Sequence, residues 1–393
     1  MVTALPGREP LLRALIDICG PDFAREAGAA DMVAGHLASF VAAPATTRAA
    51  TDTLRLAAER GLAVVPRGSG SKIDWGAPPR GIDMVLDTGR LGGVWDHQPD
   101  SPTAEIGSGT PVRAVQAALA LTGRRLAVDP PSPGATIGGM LAVNESGPLR
   151  HRFGTPAAQV DRITYVDREG VAGESDGEDG RPGIAEVDGV ILSARMWLRP
   201  LPAARRWVLV PVSTPLQVHH LVEEALAQRA EPSAIEVDLP GPAAVGGRAT
   251  AQPPGSVAVL LEGGAADVAD RAQQVAKSLG AAATVSATAP RWWGRYPFER
   301  EDVALRITVA IADLHAAVYA LRDATGAGVP VRGSAGRGTV HAVLAGTLTA
   351  ERVEGILDAV RGVLLARGGR CVVITAPSAI STNIDMAGRR DLF

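Results

Sequence analysis

The sequence predicts an α+β protein of two lobes, and three observations predict it. The 393 residues exceed the roughly 250–300 at which a single core stops growing, so two cores are expected. Glycine-rich turns follow short apolar strands at 66–70 and 130–139 in the N-terminal half. From Trp207 onward apolar strands alternate with four amphipathic helices. That is the pattern of two successive βαββαβ-like units, whose helices cover one face of a mainly antiparallel sheet. The expected division is a helical extension over 1–35, a first domain over 36–203, an α+β cap domain over 204–380 and a short tail over 381–393. The main boundary falls at Pro200-Leu201-Pro202.

Taken in order, Leu11, Leu12, Leu15, Ile16 and Ile18 recur at helical spacing and predict a short amphipathic helix. Thr46 or Thr47 can cap a second helix carrying Leu54, Leu56 and Ala57 and ending at Gly61, before a strand at 62–65. Strands are expected at 83–86 and 103–106, after which Thr110 can cap, and Pro111 open, a helix to about Thr122. Between 169 and 189, Glu174, Asp176, Glu178 and Asp179 crowd with Gly173, Gly177, Gly180 and Gly183, which reads as a solvated loop. In the C-terminal half, strands are expected at 207–212, 234–239, 256–261, 303–310, 339–345 and 370–375. The helical faces are Val218/Leu221/Val222/Ala225, Val268/Ala272/Val275/Leu279, Leu314/Ala317/Val318/Leu321 and Val353/Ile356/Leu357/Val360/Leu364.

Composition narrows the function. Hydrophobic residues at 46% and charged residues at 21% are those of a soluble globular chain. With 39 basic against 42 acidic residues and no concentration of Lys and Arg, nucleic acid is not an expected partner. Cys19 and Cys371 are far apart and outside any C-x-x-C spacing, so neither a disulfide framework nor a zinc site is expected, and a reducing compartment fits. Arg8, Glu9, Arg13 and Asp17 interrupt the apolar N-terminus and no uninterrupted apolar run of about 18 residues occurs. A cytoplasmic protein without a membrane span is expected, with peripheral attachment at the inner face of a membrane through partners left open.

The chemistry concentrates in two stretches. Pro66-Arg67-Gly68-Ser69-Gly70-Ser71-Lys72-Ile73-Asp74-Trp75-Gly76 follows a strand directly. Glycines there let the backbone approach a phosphate and aim successive N–H groups at it, although a lone cluster of this kind also serves as a tight surface turn. It is not a Rossmann fingerprint, since no G-x-G-x-x-G opens a helix. The second stretch, Pro130-Pro131-Ser132-Pro133-Gly134-Ala135-Thr136-Ile137-Gly138-Gly139, leads into Asn144-Glu145-Ser146-Gly147. Two anion-friendly loops in one domain favour a diphosphate-containing cofactor.

Together these loops resemble the flavin-binding signature of the vanillyl-alcohol-oxidase superfamily, whose FAD-binding domain is called PCMH-type. Within that superfamily the chain is most similar to the E subunit of bacterial glycolate oxidase. Those subunits carry R-G-x-G-x-K-x-x-W-G-x-P and then P-G-A-T-x-G-G-x-x-A-x-N-x-S-G-P-x-R-x-R-Y-G-T. The matching positions are Arg67, Gly68, Gly70, Lys72, Trp75, Gly76 and Pro78, then Pro133, Gly134, Ala135, Thr136, Gly138, Gly139, Ala142, Asn144, Ser146, Gly147, Pro148, Arg150, Arg152, Gly154 and Thr155, with Phe153 in the aromatic place. The likeness spans about 28–165 and 187–375. It implies a two-lobed fold in which 36–203 is the FAD-binding domain, 68–72 and 134–139 cradle the FAD pyrophosphate, and Asn144 to Gly147 lie beside the isoalloxazine. Gly189-Val190-Ile191 resembles a strand whose backbone also lines the flavin.

Departures accompany the matches. The acidic stretch stands where such subunits carry a longer K-x-x-K-N-V-A-G-Y-D-L segment, and the D-P-x-x-x-L-N-P-G-R tail is absent, the chain ending Arg389-Arg390-Asp391-Leu392-Phe393. Residues 333–341 resemble a degenerate H-x-G-x-G-N-x-H loop of D-type hydroxy-acid dehydrogenase subunits, with Ser334 at the first histidine position and His341 at the last. A lone histidine is a poor metal site. His219 and His220 are adjacent on an expected helix and so point roughly 100° apart, which argues against joint chelation. No metal is expected. Trp292-Trp293-Gly294-Arg295 resembles a segment of the same E subunits and is expected as an interdomain or interface anchor.

The resemblance implies hydride transfer from the α-carbon of a small 2-hydroxy acid to the flavin, within a complex containing a catalytic flavoprotein subunit and an iron–sulfur subunit. A base should take the hydroxyl proton and an arginine fix the carboxylate; the candidates are Arg332, His341, Arg150 and His151. The rival expectation is a catalytically silent scaffold subunit that keeps the fold to bind those two partners.

Overall fold

The computed structural model describes residues 8–98, 100–176, 187–242, 244–245, 248–249 and 253–388. It is α+β and separates into two compact units: Met1–Asp74, Pro78–Ser146 and Thr155–Leu201 form the first, and Trp75–Ala77, Gly147–Gly154 and Pro202–Phe393 the second.

In the first unit, helices α1 (Arg8–Cys19) and α2 (Thr47–Glu59) bury Leu11, Leu15, Ala50 and Leu54 against strands β1 (Ala24–Glu26), β2 (Phe40–Ala42), β3 (Val64–Arg67) and β4 (Met84–Asp87). Burying such a leucine contributes about 1.5–3 kcal/mol. The sheet order is β1-β2-β4-β3, with β2 and β3 both parallel to β4. Thr46 Oγ1 accepts from the Ala49 N–H and fixes the start of α2.

A second sheet is built from β5 (Val94–Asp96), β6 (Thr103–Gly107), β7 (Arg124–Leu126), β8 (Val160–Asp167), β9 (Ala172–Asp176) and β10 (Gly189–Pro200), in the order β9-β8-β10-β6-β5 with β7 also on β10. Helices α3 (Val112–Ala120) and α4 (Ile137–Ala142) pack Val115, Leu119, Ile137 and Met140 into its core.

The second unit holds one eight-stranded sheet. Its elements are β11 (Ala204–Val212), α5 (Pro215–Ala227), β12 (Ala234–Leu239), β13 (Gly255–Gly263), α6 (Ala265–Leu279), β14 (Thr284–Ser286), β15 (Val303–Thr308), α7 (Leu314–Thr325), β16 (Val331–Ser334), β17 (Thr339–Leu344), α8 (Ala350–Leu365) and β18 (Arg370–Thr375). The order β14-β11-β13-β12-β16-β17-β15-β18 contains the same βαββαβ arrangement twice, joined where β12 pairs antiparallel with β16. Every ladder in it is antiparallel. The four helices bury the apolar faces read from the sequence against Val208, Val237, Val259, Leu305, Val340 and Val373.

Two local expectations are corrected. Thr110 does not cap α3: its hydroxyl donates to the Gly107 carbonyl at 2.7 Å and accepts from the Gly93 N–H at 2.9 Å, leaving Pro111 at the cap position. The start of the acidic stretch is a strand, β9, because Arg162 on β8 reaches Asp176 at 2.6 Å and Glu174 at 3.1 Å across the ladder. Trp293 packs edge-on against Trp207 inside the second unit, centroids 6.1 Å apart. Strands β14 and β16, which were not expected, lie on short polar or glycine-containing stretches. Gly177, Glu178, Asp179, Gly180 and Gly183, and the terminal residues 389–393, lie outside the described residues.

Candidate functional site

In the first unit the two glycine-rich loops meet. The first leaves the end of β3, and a Cβ placed on Gly68 would stand 2.3 Å from Thr136 Oγ1 of the second. Gly134 in turn lies near Ser69, 3.3 Å from an added Cβ to its Oγ. Gly70 has φ +77°, a conformation that L side chains rarely adopt. Among the described residues, the backbone N–H groups of Ser69, Gly70, Ser71 and Gly134 make no hydrogen bond. Open amides on a tight turn form an anion nest.

The rest of the second loop is tied inward. Ile137 N–H donates to the Thr110 carbonyl at 3.0 Å, Gly138 N–H to the Ser108 carbonyl at 2.8 Å and Gly139 N–H to Thr136 Oγ1 at 3.3 Å. Of the stretch 134–139 expected at the pyrophosphate, two amides thus hold the loop to the 107–110 turn and a third, that of Gly139, is taken by the Thr136 cap. Gly138 is needed for contact, since a Cβ there would sit 2.8 Å from Ser108 Cβ.

Charge fixes the loops from behind. Lys72 Nζ and Glu145 Oε2 are 2.7 Å apart, their side chains 7% and 0% exposed, and Glu145 Oε1 accepts from the Ser132 N–H at 3.0 Å. Lys72, expected on the cofactor, thus clamps loop to loop. Arg67 lies between Asp31 and Asp87, each at 2.9 Å, and Arg25 joins Asp31 at 2.7 Å. Those contacts, the Arg25 hydrogen bond foremost, hold the Asp31 carboxyl well below the usual range. Asn144 adopts φ +49°, and its Oδ1 accepts from the Ala157 N–H at 3.0 Å, while Ser146 Oγ donates to the Asn144 carbonyl at 3.1 Å. Gly189 starts β10, and Val190 and Ile191 direct their side chains into the two cores while their backbones pair with Val166 and Tyr165.

The remaining candidates lie in the second unit. Trp75 packs edge-on to Tyr296 at 5.5 Å, and the Gly76 N–H donates to the Ile374 carbonyl at 2.8 Å. Gly147 accepts from the Arg150 N–H through its carbonyl at 3.1 Å. On the sheet, register places Asp238, Arg332, His341 and Arg306 opposite one another on four successive strands, which puts their side chains on one face. Arg332 is spent on Asp238 at 2.7 Å. Arg306, which the sequence reading missed, lies on this face too: it is exposed, and its side chain makes no hydrogen bond or ion pair among the described residues.

Arg150 Nη1 reaches Thr339 Oγ1 at 3.4 Å, and burial with Arg306 and Arg337 nearby depresses its pKa. His341 stands edge-on to Tyr296 at 4.9 Å. Burial first, then the charges of Arg306 and Arg150, push its imidazole down to about 3, so it is neutral. His151 is also depressed, by burial and Arg337, and its Nδ1 lies 3.2 Å from the Gly336 carbonyl. Ser334, at the position of the missing histidine, is buried with its hydroxyl unpartnered among the described residues.

His219 and His220, adjacent on α5, do bring their rings near each other. One ligand atom from each of His219, His220 and Glu223 lies within 4.8 Å of the others, because the imidazole rings reach round the helix surface. Among the described residues no helix is long and apolar enough to cross a membrane.

Comparison with known proteins follows the same division. Residues 38–173 match the family described as an FAD binding domain. The chain is 28% identical over 116 residues to an uncharacterized FAD-linked oxidoreductase of Mycobacterium tuberculosis, found alike in strains CDC 1551 and H37Rv. That match spans 30% of this chain and 25% of the relative. Among solved structures, the fold is shared with an alkyldihydroxyacetonephosphate synthase, with a TM-score of 0.70, 16% identity and coverage of 92% of this chain and 81% of that one. It is shared also with p-cresol methylhydroxylase, with a TM-score of 0.68, 13% identity and coverage of 95% and 90%. The fold is that of PCMH-type flavoproteins, and the domain match and the FAD-linked relatives support FAD as the cofactor.

Proposed function

We propose that the chain is an FAD-dependent oxidoreductase subunit acting on a small 2-hydroxy acid, in a glycolate oxidase-like complex with a catalytic flavoprotein subunit and an iron–sulfur subunit. The observation that carries the reading is the contact of Gly68 with Thr136, which gathers open amides of two loops, at Ser69, Gly70, Ser71 and Gly134, around one place. Those amides would hold the diphosphate of FAD, with the Lys72–Glu145 pair fixing their spacing. Bound FAD supplies a two-electron acceptor.

The chain's own residues would handle the acid. Arg306 and Arg150 are cations that charge-assisted hydrogen bonds to a carboxylate would satisfy. Neutral His341 would take the hydroxyl proton. An anion held by the two arginines would offset the charges that depress that imidazole, so substrate binding would strengthen the base.

Purified full-length chain should be yellow and release FAD on denaturation, and should reduce a dye with glycolate or lactate. A second reading, a catalytically silent scaffold for the same two partners, is favoured by Ser334 in place of the first histidine. Yellow protein that turns over neither acid alone, yet co-purifies with both partners, would select it. Colourless protein that takes up no FAD would defeat the first reading.

A further inference from the structure

Three of the chain's seven histidines and one glutamate come together far in sequence from the loops above. On α5, His219 and Glu223 are four residues apart and so share a face. His219 Nε2 and Glu223 Oε2 are 3.2 Å apart. Two donors each about 2.0–2.1 Å from a tetrahedral zinc are themselves separated by about 3.3 Å, so this pair already has the bite of a chelate. The His220 ring lies with its centroid 5.5 Å from that of His219, and its ligand atom falls within 4.8 Å of the other two. His220 and Glu223 are exposed, so closing the last ångström or so asks only for rotation of solvent-facing side chains.

The neighbouring helix adds a fourth group. His315, on the first turn of α7, places its ring 5.2 Å from that of His219. The Nδ1 atoms of both rings are buried without a hydrogen-bond partner among the described residues. Leaving a buried polar atom unsatisfied costs about 1–3 kcal/mol, and coordination through Nδ1 would remove that cost at His315, while His219 faces Glu223 through Nε2.

We propose that His219, His220 and Glu223 bind one divalent transition-metal ion, with His315 as the fourth ligand. Two or three imidazoles with one carboxylate select zinc, cobalt, nickel or copper over magnesium or calcium, which take oxygen donors. With His315 engaged, the ion ties α5 of the first βαββαβ repeat to α7 of the second. The site is independent of the flavin reading and uses none of its residues.

The test is zinc titration of the full chain, produced without a histidine tag, stripped with chelator and dialysed at pH 7.5, with stoichiometry from calorimetry. One equivalent should bind with release of protons and should raise the thermal midpoint. The equivalent should be lost in the His219→Ala, His220→Ala double variant and kept in His97→Ala, circular dichroism confirming that both are folded. In the cobalt-loaded chain, His315→Ala should remove the strong visible bands of four-coordinate metal. Absence of stoichiometric zinc, or its survival in the double variant, would overturn the site. An unchanged cobalt spectrum in His315→Ala would overturn the fourth ligand.

Discussion

The loop corner of the first unit and the open sheet face of the second treat charge in opposite ways. In the corner, Lys72 and Glu145 neutralise each other out of water and Arg67 is spent on Asp31 and Asp87, so what remains to bind an anion is uncharged backbone. On the sheet face, the Arg306 side chain makes no ion pair among the described residues, and His341 is held neutral beside it. A large cofactor held for many turnovers suits rigid amides whose spacing is locked from behind. A small acid that must enter and leave suits mobile, uncompensated cations.

The largest effect should come from breaking the corner's packing. Gly68→Val would drive a side chain into Thr136, and Gly138→Val into Ser108; both should lose FAD altogether, read as flavin absorbance per chain. Next comes its charge. Lys72→Met strands a buried carboxylate and should cost about 3–5 kcal/mol in denaturant unfolding, whereas Lys72→Met with Glu145→Leu should recover most of it. If the single variant cost nothing, the clamp would be unimportant to the corner.

The sheet face should respond in kinetics rather than in stability. Removing the guanidinium in Arg306→Ala should raise KM for a 2-hydroxy acid about 10–100-fold, as loss of a charge-assisted hydrogen bond of about 1.5–3 kcal/mol implies, with little change in unfolding midpoint. At neutral pH the smallest effect is that of His341, whose contribution appears only on acidification. The His341 imidazole titrates at 6.5 unfolded and about 3 folded, so between those values the unfolded chain binds the extra proton. Stability should therefore fall as pH drops from 6.5 toward 3, and His341→Gln should flatten that part of the profile of denaturation midpoint against pH.

The contrast also explains what could be read from the sequence. The loops were legible because their requirements are local: Gly70 must adopt a positive φ, and Thr46 sits where a cap is needed. The helical faces of the second unit were legible because period 3.6 survives without knowledge of partners. Arg306 was not, since it occupies an ordinary alternating strand, and only the register with His341 shows what it faces. Glu145 stood inside a quoted motif, but its task depends on Lys72, 73 residues earlier in the chain. Thr110 offered an oxygen at a cap position, but that oxygen accepts from the Gly93 N–H while its hydroxyl donates to the Gly107 carbonyl. The nearness of His219, His220 and Glu223 is a matter of side-chain reach, which backbone directions alone do not show. Long-range pairing and side-chain reach, rather than propensity, account for each miss.

The decisive measurement is the FAD content of the purified chain beside that of Gly70→Val, whose side chain would force an unfavourable backbone at φ +77° in the open-amide turn. Near one FAD per wild-type chain, with the variant folded but colourless, is the expected result. Wild-type chain that takes up no FAD, or a Gly70→Val chain that keeps its full complement, would contradict it.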